Sequence, residues 1–194
     1  MLLEVPDIAD WPLRQRLLYW TNRHSDNQLA DLLLAAALGG RKTACPETLY
    51  AAWLEGLGIP AAGLSMADGS GLSRRNRLTA RTLTGLLVAL KDARADTFVH
   101  SLARPGGRGT LARRGLGLGH RVRAKTGYIR GVFTLAGYLQ AETDTFAFAF
   151  LANDCPAARD AYRLFTGLLL TTYRWNAADT LPGPKSTGAA APPR

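Results

Sequence analysis

Two short runs in this chain bring together side chains that move protons and hold charge. Ser25-Asp26-Asn27 stands at the head of an apolar stretch, and Lys125-Thr126-Gly127 ends a strand-like one. A serine hydroxyl both donates and accepts, so Ser25 could form hydrogen bonds in either direction. A serine before an apolar run also caps helices, which is the plainer reading. The Asn27 amide fits a substrate peptide group or a neighbouring lysine, or is an exposed first-turn residue. Lys125 offers a fixed positive charge and Thr126 a hydroxyl to a carboxylate, unless Lys125 is only a solvated strand-end lysine. Gly127 leaves a strand edge open to an approaching backbone. Asp26 is expected to cap the helix or point away rather than meet a substrate. A serine one helical turn before a lysine would complete a nucleophile pair. Three positions before Lys42, Lys91, Lys125 and Lys185, however, stand Gly39, Val88, Val122 and Pro182. The chain reads as half of an active site.

The elements that must position these residues follow from periodicity and punctuation. Asp10 and Pro12 form an N-cap and first-turn proline for a helix through Leu13, Leu17, Leu18 and Trp20, broken at Asn22-Arg23-His24. A second helix, capped by Ser25 or Asp26, carries Leu29, Leu32, Leu33, Ala36 and Ala37, stops at Gly39-Gly40 and is expected to be fully buried. A third follows Pro46 to Gly58. Asp68-Gly69-Ser70-Gly71-Leu72-Ser73 is a turn-rich loop, in which Asp68 caps a glycine-enabled turn. Thr79 caps a helix through Leu90, and a short helical piece surrounds Phe98 and Leu102. Strands are predicted over Arg121–Thr126, Val132–Leu139 and Thr145–Leu151, with turns at Gly127–Gly131 and Gln140–Asp144. A last amphipathic helix runs from Pro156 to about Tyr173. Helices, then a three-strand antiparallel meander and a closing helix, make an α+β fold. Residues 1–176 are expected to belong to one domain and residues 177–194 to be a disordered tail.

Composition limits the alternatives. No run approaches the roughly 18–20 apolar residues that span a bilayer. The start, Met1-Leu2-Leu3-Glu4-Val5-Pro6-Asp7, lacks the pattern of a signal peptide, so the chain taken as complete is expected in the cytoplasm. The net charge of +9 raises the question of nucleic acid. The basic residues are scattered, however, and the densest stretch, Arg104 to Arg123, alternates Arg with Gly, so no nucleic-acid partner is expected. A basic surface also suits an anionic cell-wall polymer. Cys45 and Cys155 suggest free or buried thiols, and His24, His100 and His120 show no metal spacing.

Three segments, in order, carry a resemblance: Leu18-Tyr19-Trp20-Thr21-Asn22-Arg23-His24-Ser25-Asp26-Asn27, Asp68-Gly69-Ser70-Gly71-Leu72-Ser73-Arg74, and Arg121-Val122-Arg123-Ala124-Lys125-Thr126-Gly127 with the strand ending Ala136-Gly137-Tyr138. The chain resembles the C-terminal part of class C penicillin-binding proteins, the D-alanyl-D-alanine carboxypeptidase/endopeptidases of the bacterial periplasm. The resemblance implies a partial β-lactamase/transpeptidase-like fold lacking the upstream Ser-x-x-Lys segment. It implies serine-type cleavage of peptidoglycan stem peptides ending in D-Ala-D-Ala through an acyl-enzyme, with β-lactams as further ligands. Ser25, Asn27 and Lys125 would be catalytic, and Thr126, Gly127 and Tyr128 substrate-binding, with no cofactor or metal. Relatives often carry Thr where this chain has Tyr128, whose backbone N–H would be one of two oxyanion donors. For Asp68–Ser73 no catalytic role follows. The chain alone is expected to be inactive. The alternative is a non-catalytic stem-peptide-binding or complementing subunit of a split enzyme; a misplaced start would also explain the missing half. By resemblance the setting is periplasmic or extracytoplasmic.

Overall fold

The computed structural model describes residues 8–39, 46–93, 96–112 and 117–179. Cys45, the Met1–Asp7 start and the tail from residue 180 lie outside the described residues. The architecture is α+β. Among the described residues, five α-helices, α1 (Leu13–His24), α2 (Asn27–Ala37), α3 (Pro46–Gly56), α4 (Ala80–Asp92) and α5 (Asp96–Ser101), precede strands β1 (Val122–Ile129), β2 (Val132–Gln140) and β3 (Thr145–Ala152), and α6 (Ala158–Asp179) comes last. The strands form an antiparallel meander in the order β1-β2-β3.

Side-chain alternation gives the sheet two apolar faces. Phe133, Leu135, Leu139 and Phe148 pack against Phe165 and Leu169 of α6. On the other face, Tyr138 and Ala136 meet Leu87 of α4, Val99 and Leu102, and the Tyr138 hydroxyl donates to the Leu87 carbonyl at 2.7 Å. A smaller cluster of Leu54, Ile59 and Ala61 lies beneath α3. Thr79 caps α4 as expected, accepting from the Thr82 N–H at 3.0 Å.

Several elements depart from their sequence patterns for identifiable reasons. Asp10 does not cap α1: Pro12 occupies the N-cap position with no side-chain cap bond, and its carbonyl takes the Gln15 and Arg16 N–H groups at 2.9 and 3.1 Å. Nor does α1 break at Asn22-Arg23-His24. Arg23, only 2% exposed, donates to the Tyr19 hydroxyl at 3.0 Å and to the carbonyls of Arg108 and His100, so burial carries the helix one turn further. The expected full burial of α2 is overturned. None of its residues is buried: Leu32 is 63% exposed, and Leu29, Leu33 and Leu34 are only half-covered. The first turn of the sheet is only Arg130-Gly131, with Gly131 at φ +81°, so Gly127 pairs with Thr134 inside β1 rather than opening the turn. The last helix continues past Tyr173 to Asp179. This seats buried Asn176 on the β2–β3 turn, where it accepts from Glu142 N and donates to Asp144 Oδ2 at 2.9 Å.

Candidate functional site

Ser25 and Lys125, a hundred positions apart, meet across the gap between the α1–α2 corner and β1. The Lys125 ammonium donates to Ser25 Oγ and to the Thr126 carbonyl, each at 2.7 Å. Ser25 ends α1 in the left-handed region (φ 59°, ψ 50°), its N–H returning to the Thr21 carbonyl. That conformation disfavours a side chain with a Cβ, so the corner is held by its surroundings. Arg23 supplies much of the hold, locked between Tyr19 and the loop carbonyls two residues earlier. Asn22 adds a bond from its amide to Ser101 Oγ at 2.7 Å. Asp26, not Ser25, caps α2, accepting from the Leu29 N–H at 3.0 Å. The Ser25 hydroxyl is thereby left exposed and directed to Lys125.

The register of β1 fixes what its outer edge offers. In an antiparallel pair, alternate residues turn both backbone groups away from the partner strand. Ala124 donates to the Ala103 carbonyl at 2.9 Å, outside the β1–β2 ladder. Two and four positions on, the backbone groups of Thr126 and Tyr128 therefore point to the same open side. The Thr126 carbonyl there accepts the Lys125 ammonium, while the Thr126 and Tyr128 N–H groups bond to no described residue.

The other expected residues divide. Gly127 lies beside Lys125 on the same sheet face; a Cβ there would run into Thr134 Oγ1, so the glycine is required by its cross-strand neighbour. Asn27 opens α2, exposed, its side chain unengaged among the described residues. The structure does not bring the Thr126 side chain to the pair. Alternation turns it to the α6 face, where the residue is buried, so only its backbone faces the site. Tyr128 is 68% exposed and stacks on Phe133 at 5.1 Å, also on the α6 side. Thr134 was not anticipated. A sequence reading that placed the turn at Arg130-Gly131 would have set it opposite Gly127. Among the described residues no group of His, Cys, Asp and Glu is arranged to hold a metal.

Burial alone pulls the Lys125 ammonium from 10.5 down to about 8. It remains predominantly protonated at neutral pH, and so can neutralise a carboxylate while hydrogen-bonding Ser25. The sign of the linked stability follows. Between about pH 8 and 10.5 the unfolded chain binds this proton and the folded chain has lost it, so stability rises with pH through that window. Urea unfolding at several pH values should show the parent gaining stability over a Lys125→Met chain between those limits, and a constant difference would contradict the assignment.

Residues 7–169 match the family described as the D-Ala-D-Ala carboxypeptidase 3 (S13) family. A D-alanyl-D-alanine carboxypeptidase of Actinomadura sp. (strain R39) is 37% identical over 145 residues, covering 68% of this chain and 27% of the relative. Carboxypeptidase DacB of Mycolicibacterium smegmatis is 31% identical over 185 residues, covering 85% of this chain and 39% of the relative. The structure of penicillin binding protein 4 from Haemophilus influenzae, complexed with a β-lactam, superposes with a TM-score of 0.70 at 28% identity, over 81% of this chain and 41% of that one. The chain thus spans less than half the length of each of these relatives.

Proposed function

Because the chain belongs to the D-Ala-D-Ala carboxypeptidase 3 (S13) family, we propose that it forms one side of a serine peptidase cleft acting on peptidoglycan stem peptides that end in D-Ala-D-Ala. The observation that carries the reading is the Lys125 ammonium held 2.7 Å from Ser25 Oγ beside an open strand edge. The stem peptide docks on that edge as an added strand. Lys125 attracts its terminal carboxylate, and Asn27 bonds its peptide groups. The Tyr128 N–H stabilises the oxyanion that develops on the scissile carbonyl. A nucleophilic serine from a Ser-x-x-Lys segment, which this sequence lacks, attacks that carbonyl. The C–N bond breaks, the terminal D-alanine leaves as an amine protonated through the Ser25 hydroxyl, and water releases the acyl group. Thr126 takes part through its main chain, not the hydroxyl expected from its sequence position. The reading also makes the protein extracytoplasmic and a binder of β-lactams once its cleft is complete, with residues 1–176 as the transpeptidase-like unit.

A second reading, a complementing subunit that binds stem peptide without cutting it, draws support from one feature. The apolar face of α2 is only partly covered, with Leu32 63% exposed, as it would be on a half that awaits a partner.

Intact-mass spectrometry after incubation with a reactive penicillin tests the central claim. No covalent adduct is expected on this chain alone, because removing the nucleophile removes the covalent route. One adduct mapped to one serine would show that the nucleophile is already present here.

A further inference from the structure

The loop around Asp68–Ser73 touches both walls of the cleft. Asp31, one helical turn beyond Asn27 on α2, accepts the N–H groups of Gly69 and Ser70 with one carboxylate oxygen, at 2.8 and 2.9 Å. Gly69 sits so close to α2 that a Cβ there would fall 2.6 Å from the Ala30 carbonyl oxygen. The loop is internally fixed. The Asp68 carboxylate accepts from Gly71 N at 2.6 Å, Ser73 N at 2.8 Å and the Asn76 amide at 2.7 Å, and a Ser65–Arg77 bridge closes its base. At its far end the Arg74 guanidinium donates to the Arg130 carbonyl, in the β1–β2 turn, at 2.5 Å.

We propose that residues 65–77 are a brace, and that Asp31 and Arg74 are positioning residues that hold the α1–α2 corner bearing Ser25 at a set distance from the hairpin bearing Lys125. Burial leaves α2 without such a fixture, since none of its own residues is buried. A loop made rigid by its own hydrogen bonds and tied at both ends transmits position where packing does not. One end grips the helix that Ser25 and Asp26 lead into, and the other grips the turn that ends β1. The inference rests on the reading of Ser25 and Lys125 as facing walls of one cleft, but its test needs no substrate, so the two can fail separately.

The experiment follows the Lys125 side-chain NMR signal with pH in the full chain, assigned by its loss in a Lys125→Arg variant. In the parent the midpoint is expected at about 8, as burial dictates. Asp31→Ala and Arg74→Ala should each let the cleft open and water reach the ammonium, raising its proton affinity about tenfold. Asp31→Asn keeps an acceptor oxygen for both N–H groups and should stay nearer the parent. A thermal melt of each variant separates this from general loosening. Unchanged midpoints in folded Asp31→Ala and Arg74→Ala chains would overturn the brace. Should Asp31→Ala not fold, the exposed Arg74 carries the test by itself.

Discussion

A Lys125→Ala chain is expected to bind a peptide ending in D-Ala-D-Ala about 10- to 150-fold more weakly than the parent. Hydrogen bonds to charged groups contribute about 1.5–3 kcal/mol, which sets that range. Lys125 is the ammonium that stands at the open edge of β1, and it is held there by Ser25 and by the Thr126 carbonyl. Alanine removes the charge that faces the ligand's carboxylate and also releases the Ser25 hydroxyl. An NMR titration that follows the Tyr128 amide measures the loss, with the C-terminal amide of the same peptide as a control. The parent should prefer the free acid, and the variant should not distinguish the two. Equal affinities for acid and amide in the parent would sink the charge-recognition argument while leaving the fold untouched.

The second large effect lies behind the site. Gly137 pairs with Ala124 in the middle of the β1–β2 ladder, where a Cβ would be driven into the Arg123 carbonyl oxygen and would lie 2.8 Å from Ala124 Cβ. The opposing atoms are backbone of a paired strand, so they give way only if β1 moves. Gly137→Ala is therefore expected to destabilise the chain by about 1–3 kcal/mol, at the upper end of that range or beyond it because two strands must separate. Urea denaturation reads the loss. Because Ala124 is the immediate neighbour of Lys125, the same substitution should also weaken the Lys125–Ser25 contact. A stable Gly137→Ala chain would show that the ladder tolerates more adjustment than its spacing implies.

How far the sequence disclosed this arrangement depended on where the deciding forces lay. Motif order predicted that Ser25 and Lys125 belong to one site, and β1–β3 were legible as short apolar runs between turn residues, since both faces of the sheet are covered. Local pattern failed where distant contacts decide. The Asn22-Arg23-His24 run looks like a helix end, but the buried Arg23 finds its acceptors in Tyr19, His100 and Arg108, which no window of sequence joins. The leucines of α2 report a face that some surface should cover, yet periodicity does not say whether that surface lies in the same segment. Gly127 looked like a turn residue, since glycine is common in turns; its real constraint is Thr134 across the ladder. Thr126 shows the limit of a motif most clearly. Its type and position suggested a hydroxyl aimed at substrate, and the two-residue period of a strand sends that hydroxyl to the opposite face.

If a stem peptide docks on β1 as proposed, the bond from the Lys125 ammonium to the Thr126 carbonyl must give way first. A docking strand needs that carbonyl for its own ladder, and the ligand's carboxylate needs the ammonium that now occupies it. Each demand relieves the other: the carboxylate draws the ammonium away and frees the carbonyl just as the strand arrives. A ligand with the backbone but no carboxylate, or a carboxylate but no backbone, meets a lock that only the pair of features opens. On the proposed reading, selectivity for the stem peptide comes from this exchange of partners rather than from the charge alone.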